Sequence, residues 1–474
     1  MTRGIIATPH RVASEAGAQV LRDGGNAIDA AIAANAVLCV VYPHMTSIGG
    51  DLMAIVWPAG ESTPFGLIGA GRSGEKASID VVREAGFTTM PERGALTITV
   101  PGTVEAWGRL IERFGTLGWA PLLEPAAALA EGGYVITPQL SEFLKGAAGL
   151  LGREQAAYKL YPPMEAGMTL RNPDLAAVLR DIARHGFNTF YRGEVGAAIA
   201  TAIQKRGGFV TARDMATHHS DWVDTITGQY RDLVVHELPP PTQGIAALAM
   251  LSELDQPPTG DFLRIFKAAR DKAYAVRDRT IADPDFATPE GGDTVYLCAA
   301  DEHGNLISLI QSVSFDFGSG IVAEGTGILL QNRGCYFSLD PRHVNRLEPK
   351  KRTMHTLIPA MATRNGKPWA LFGTMGGDAQ PQLQTQVLMN LVDHGLEPQE
   401  AVARPRVRIR RGDVIDLEAD YPDAGRLAQK DRRIVLMPPR HHEFGHAHAI
   451  VIDGPRQWRA GADPRSDGSV ETAG

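Results

Sequence analysis

The sequence predicts one interleaved structure of helices and sheet, on three observations. Helical periodicity dominates the first 290 residues, period-2 strands open the remainder, and no Pro/Ser-rich linker separates the two stretches. A length of 474 residues would by itself allow about three domains. The uninterrupted patterning argues instead for a single body.

The elements follow in chain order. After Asp23-Gly24-Gly25-Asn26 comes AIDAAIAANAVLCVV, whose alanine density permits close packing and whose Asn26 is a natural N-cap, so a buried helix is expected. Thr103 is read as the cap of a second helix carrying Val104, Trp107, Leu110, Ile111 and Phe114 on one face, with Gly115 as its stop. Asn172-Pro173 opens a third, with Leu175, Val178, Leu179 and Ile182 before Gly186. Phe262 to Arg279 predicts a fourth, ending near Asp283-Pro284-Asp285-Phe286. Residues Val295 to Ala300, the polar turn Asp301-Glu302-His303-Gly304-Asn305, and Leu306 to Ser312 predict a β-hairpin. Trp369 to Thr374 reads as a strand running straight into Met375-Gly376-Gly377, and Ala447 to Ile452 as another. The last residues, Ser466 to Gly474, are expected to fray.

Charge and cysteine usage bound the function. With 47 Lys+Arg against 54 Asp+Glu the net charge is −7, and the basic residues are scattered rather than blocked, which argues against nucleic acid as the main partner. Cys39, Cys298 and Cys335 are too few and too widely spaced for a disulfide framework, as in a reducing compartment. The N-terminal stretch has no apolar signal region, and no apolar run reaches membrane-spanning length. A cytoplasmic protein with a small-molecule or protein partner is expected.

The sharpest local feature is Gly291-Gly292-Asp293-Thr294, directly before the hairpin. Flexible glycines present an Asp–Thr bond whose carbonyl the Thr294 hydroxyl can attack, cutting the chain and exposing Thr294 as a new N-terminus. A terminal Thr is its own catalytic unit. Its α-amino group, with an ordinary pKa of about 7.7–8.0, takes the hydroxyl proton while Oγ attacks an amide. By themselves these four residues read as an ordinary turn into a strand.

The wider pattern decides between the two. Gly24-Gly25-Asn26-Ala27-Ile28-Asp29-Ala30-Ala31, Ile48-Gly49-Gly50-Asp51, Val100-Pro101-Gly102-Thr103 and Pro239-Pro240-Pro241-Thr242 occur in order. Phe317-Gly318-Ser319-Gly320, Lys351-Arg352, Gly376-Gly377, Arg404-Pro405-Arg406 and Asp463-Pro464-Arg465 follow. With these motifs nearly the whole chain resembles the γ-glutamyltranspeptidase family of N-terminal nucleophile hydrolases. The resemblance implies an α+β fold, a four-layer αββα sandwich. It implies self-cleavage between Asp293 and Thr294 into a helix-rich large subunit, 1–293, carrying the carboxylate anchor, and a small subunit, 294–474, together one structural domain.

The resemblance also implies roles. Thr294 matches the family's nucleophile, and Ser312 falls where a second Thr hydrogen-bonds it. Gly376 and Gly377 match the paired glycines whose amides form the oxyanion hole, where each lost donor costs about 2.7–4 kcal/mol. Arg72, within Gly71-Arg72-Ser73-Gly74, matches the clamp on the substrate's α-carboxylate, a task suited to a guanidinium fork. Four departures bear on the substrate. Tyr336 replaces the Asp that accepts a γ-glutamyl ammonium, Arg333 replaces an amide residue, His355-Thr356 replace a serine pair, and Ser314 replaces an Asn. Such a site keeps a carboxylate anchor, loses the anion for an ammonium group and gains a second cation. Arg333 and His355 could equally be satisfied polar residues near the site.

The expected function is therefore hydrolysis of a small carboxylated amide, with oxamate to oxalate and ammonia, as in the family's oxamate amidohydrolase branch, in first place. Alternatives are γ-glutamyl hydrolysis or transfer on glutathione or γ-glutamyl amides, a glutaryl- or cephalosporin-type acylase, and an unprocessed binding homologue. No cofactor and no metal are implied. The partners implied are the small substrate and the two subunits as a heterodimer, with a dimer of heterodimers as a further assembly, and neither nucleic acid nor membrane. His442-Glu443-Phe444-Gly445-His446 satisfies the H-E-x-x-H zinc pattern, but Pro438-Pro439 before it, Gly445 within it and the alternation after it favour a loop entering a strand. Met375, Cys298 and Cys335 read as packing residues.

Overall fold

Alternation along the hairpin Asp293–Asp301 and Leu306–Ser314 sorts its side chains into two cores. Val295, Leu297 and Ala299 join a large helical core, whereas Tyr296, Cys298 and Ala300 face a second sheet. This is the inner face of a sandwich. The computed structural model describes residues 2–256, 261–281 and 293–474. Asp283-Pro284-Asp285-Phe286 and Gly291-Gly292 lie outside them.

The first sheet has seven strands, in the order Ser469–Ala473, Gly4–Thr8, Asp293–Asp301, Leu306–Ser314, Asp51–Trp57, Phe65–Gly69 and Asp221–Asp224. The second has six, in the order Gln457–Ala462, Ala447–Gly454, Lys367–Thr374, Ala360–Arg364, Leu233–Glu237 and Ile226–Tyr230. Met53, Ile55, Tyr296 and Ile310 from the first meet Met361, Leu371 and Ile450 from the second. Helices Ala27–Val41, Trp119–Gly132 and Pro173–His185 cover the outer face of the first sheet. Gly244–Glu253, Phe262–Thr280 and Gln380–Val392 cover that of the second. The result is the expected four-layer αββα order. Each sheet contains strands from before and after Thr294, so no contiguous stretch owns either one.

Most of the predicted elements form. Asn26 caps the Ala27–Val41 helix through a capping box with Asp29, and the helix is buried on every side. Pro173–His185 is capped by the Asn172 side chain, and Phe262–Thr280 follows the predicted bounds closely. Two expectations are corrected. Gly102, not Thr103, occupies the cap position; Thr103 is the first helical residue and its hydroxyl accepts a hydrogen bond from Gln311 at 3.1 Å instead. The C-terminal residues do not fray, because Ser469–Ala473 pairs antiparallel with Gly4–Thr8 at the edge of the first sheet. The strands Gly4–Thr8 and Asp51–Trp57 escaped the pattern because every residue in them is buried, which erases the alternation that marks a half-exposed strand. No helix among the described residues is long and apolar enough to cross a membrane.

Candidate active site

Three strands of the first sheet end at the same place. Register pairs Gln311 with Val295 and Ser314 with Asp293, so Ser312 and Val313 together face Thr294 in a β-bulge. On the other side Ser312 is paired with Asp51. Thr294 shares its face with Tyr296, Ser312 with Ile310, and Asp51 with Met53, all of which pack between the sheets. Three polar side chains, each about 1% exposed or less, therefore point into the sandwich at one end. The Thr294 hydroxyl is buried and has no hydrogen-bond partner among the described residues.

The second sheet brings the glycine pair. A Cβ on Gly373 would sit 2.4 Å from the Tyr296 ring, so the strand Lys367–Thr374 passes directly over the Thr294 strand. Three residues on, Gly376 and Gly377 turn the chain with φ of 133° and 51°, backbone that favours glycine. Neither of their amides donates a hydrogen bond to a described residue. Both precede the 13-residue helix Gln380–Val392, whose N-terminal dipole adds positive potential. The arrangement suits a developing oxyanion.

Arg333 links the two sides. Only 2% exposed, it donates to Thr356 Oγ1 at 2.9 Å, approaches Ser312 Oγ at 3.5 Å and lies 5.2 Å over the Tyr336 ring. Its Nε has no partner, and no carboxylate pairs with it among the described residues. His355, next to Thr356, meets Asp51 at 3.2 Å; burial and then the Arg333 charge push its pKa down to about 4, so it is neutral near pH 7. Burial likewise pushes the Tyr336 phenol well above its ordinary value. Ser314, at φ 85°, donates its N–H to Ser312 Oγ at 2.7 Å.

Gln243 closes the circuit. Fully buried, its Nε2 donates to the Thr356 carbonyl at 3.0 Å and to the Gly377 carbonyl at 2.8 Å. Arg277 holds its Oε1 at 3.1 Å and also pairs with Asp378. Thr294, Ser312, Ser314, Arg333, Tyr336, His355, Thr356, Gly376 and Gly377 thus form one contiguous set. Sequence reasoning missed Gln243 and Asp51, although each directly follows or ends a motif it had noted.

Two predicted contacts differ. The Ser312 hydroxyl does not bond Thr294, since the bulge turns it toward the Ser314 amide and Arg333. Arg72 is not a free fork: its Nη2 lies 3.4 Å from Asp221, which Arg352 also engages, and it is 29% exposed. Burial and the neighbouring Arg352 hold its pKa below the usual arginine range. It reaches the site through Gly71, whose N–H donates to Asp51 Oδ1 at 3.1 Å. The H-E-x-x-H stretch forms one 3₁₀ turn, His442–Phe444, entering the strand Ala447–Gly454. Glu443 pairs with Arg408, and His446 Nδ1 lies 3.3 Å from the Tyr42 hydroxyl, so the two histidines share no helical face.

A four-layer αββα sandwich with a buried Thr at the start of an inner strand defines the N-terminal nucleophile hydrolase class. Within it, the chain belongs to the γ-glutamyltranspeptidase family, enzymes that act on amide bonds: the Gamma-glutamyltranspeptidase family model matches residues 13–290 and 268–473. The glutathione hydrolase-like YwrD proenzyme of Bacillus subtilis (strain 168) is 34% identical, across 99% of this chain and 98% of its own. The oxamate amidohydrolase proenzyme of Klebsiella pneumoniae is 33% identical over the same shares, 99% and 98%. The cephalosporin acylase from Bacillus halodurans superposes with a TM-score of 0.90 at 34% identity, covering 99% of this chain and 96% of that one.

Proposed function

We propose that the protein cuts itself between Asp293 and Thr294 and then hydrolyses a small carboxylated amide, with oxamate the leading substrate. In the first step Thr294 Oγ attacks the Asp293 carbonyl, its proton passes to the amide nitrogen and the C–N bond breaks, leaving an ester and a free Thr294 amino group. Water then hydrolyses the ester, freeing Oγ and ending the 1–293 chain in a carboxylate. The two chains stay together as a heterodimer because each sheet contains strands from both. Cytoplasmic residence remains part of this reading.

In turnover, the Thr294 amine takes the hydroxyl proton as Oγ attacks the amide carbon. The Gly376 and Gly377 amides stabilise the oxyanion. The resulting ammonium hands its proton to the leaving nitrogen, ammonia departs, and water attacks the acyl-enzyme to give the second carboxylate. Oxamate plus water thus becomes oxalate plus ammonium. Arg333 holds the substrate's existing carboxylate, and Ser312, Ser314 and Thr356 help orient it. Tyr336 lines that pocket, and Arg72 supplies the outer positive charge.

The observation that carries this reading is Arg333, buried beside Ser312 without a carboxylate of its own. A guanidinium so placed fits an acid group on the substrate. A second reading, a glutaryl- or cephalosporin-type acylase, draws on the likeness to the cephalosporin acylase from Bacillus halodurans. Ammonia release from oxamate, measured beside amine release from a glutaryl amide and a γ-glutamyl anilide, separates them. Oxamate should turn over fastest; strong turnover of the anilide with none of oxamate would overturn the substrate proposed.

A further inference from the structure

Asp51 opens its strand opposite Ser312 and faces the same inter-sheet space. Its two oxygens do separate work. Oδ1 accepts the Gly71 N–H at 3.1 Å, and Oδ2 meets His355 Nε2 at 3.2 Å, with both side chains 1% exposed. Because His355 Nδ1 accepts the Leu357 N–H at 3.4 Å, the imidazole proton sits on Nε2 and is donated to Asp51. Gly71 precedes Arg72, and His355 precedes Thr356, the acceptor for Arg333. One carboxylate therefore ties the loop that carries Arg72 to the loop whose Thr356 hydroxyl holds Arg333. Among the described residues no Lys or Arg pairs with it, so the fold bears the desolvation of a buried anion for little Coulombic return.

We infer that Asp51 is a positioning residue for acid-bearing substrates: by holding the Gly71 amide and the His355 imidazole it fixes the spacing between Arg72 and the Arg333–Thr356 pair. The inference rests on the proposed carboxylate-binding reading and assigns its specificity to a residue that touches no substrate. An apolar residue at this position would serve the packing of the sandwich as well; only the carboxylate can accept from both loops.

The variant Asp51→Asn keeps the size and one acceptor oxygen for Gly71. It also places an NH₂ against the His355 N–H, so the imidazole must change tautomer and lose its bond to Leu357. Steady-state kinetics of the cleaved enzyme on oxamate and on neutral, nearly isosteric oxamide, with calorimetric binding of oxalate, read the result. KM for oxamate and Kd for oxalate should rise about tenfold or more, with kcat and oxamide turnover little changed. His355→Leu should reproduce the loss and His355→Gln, which retains a donor for Asp51, should largely rescue it; this pair carries the test if Asp51→Asn fails to fold. Equal losses on oxamate and oxamide, or an unchanged KM, would overturn the inference and leave the reaction standing. Weakened oxalate binding in Asp51→Asn, in an enzyme that does not hydrolyse oxamate, would sink the reaction and keep the inference. A wild type that binds no oxalate would overturn both.

Discussion

Arg333 donates to Thr356 Oγ1 at 2.9 Å, and this hydroxyl aims a buried guanidinium at the space beside Ser312. A charge-assisted hydrogen bond is worth about 1.5–3 kcal/mol, so Arg333→Gln should raise KM for carboxylated amides roughly 10- to 100-fold. Self-cleavage should persist. Arg72→Ala should raise KM less, because Arg72 is already shared with Asp221. Kinetics on both variants check the order; a larger effect at Arg72 would move the anchor to the outer cation.

Gly376 and Gly377 present two amides at the start of a helix. A Cβ on Gly376 would meet Leu383 Cδ1 at 2.6 Å on a backbone with φ of 133°. Gly376→Ala should therefore tilt the donor away and lower kcat by about 10²–10³-fold, the usual cost of one oxyanion donor, with KM much less affected. A KM effect without a kcat effect would remove the pair from the oxyanion site.

The motifs Arg404-Pro405-Arg406 and Asp463-Pro464-Arg465 meet in a buried ion-pair network. Arg406 pairs with Asp463 at 2.6 Å, Arg465 with Asp463 at 3.0 Å, and Arg465 also with Glu418. Removing one partner of a buried pair costs about 3–5 kcal/mol, so Asp463→Ala should lower Tm sharply or prevent folding. Thermal denaturation measures it; an unchanged Tm would contradict the structural role.

Acid should destabilise the fold in two stages. Burial pushes His355 and His448 down to about 4 and His446 to about 3, below the value near 6.5 that each has in an unfolded chain. The unfolded chain therefore binds protons that the folded one refuses. This stabilisation is full above about pH 6.5 and is lost as pH falls toward 4, by up to about 1.4 kcal/mol per pH unit for each histidine. Burial opposes ionisation of Asp463, yet Arg406 and Arg465 hold it down to about 2, so its contribution is lost only between about pH 4 and 2. Tm measured from pH 7 to 4 should fall from about 6.5 downward; a flat profile to pH 5 would contradict the histidine account.

Much of this architecture is legible in the sequence where one physical signal dominates. Asn26 and Asn172 announce their helices because a side-chain cap is local, and the Gly376-Gly377 pair announces a turn because positive φ is local. Asp51 and Gln243 were invisible because their partners, His355, Gly71, Thr356 and Gly377, come from distant segments joined only by the sandwich. Thr103 reads as a cap from its neighbours alone, yet its hydroxyl is claimed by Gln311, 208 residues away. Arg72 shows the same limit: the motif identifies the residue but not Asp221, which competes for it.

The proposed chemistry requires that Thr294 become an N-terminal nucleophile. Denaturing mass spectrometry of the purified protein, with N-terminal sequencing of the smaller fragment and parallel amidase assays, tests it directly. The wild type should give a fragment beginning at Thr294, with activity rising as it accumulates, and Thr294→Ala should remain a single inactive chain. A wild type that hydrolyses amides while its chain stays intact would contradict the account.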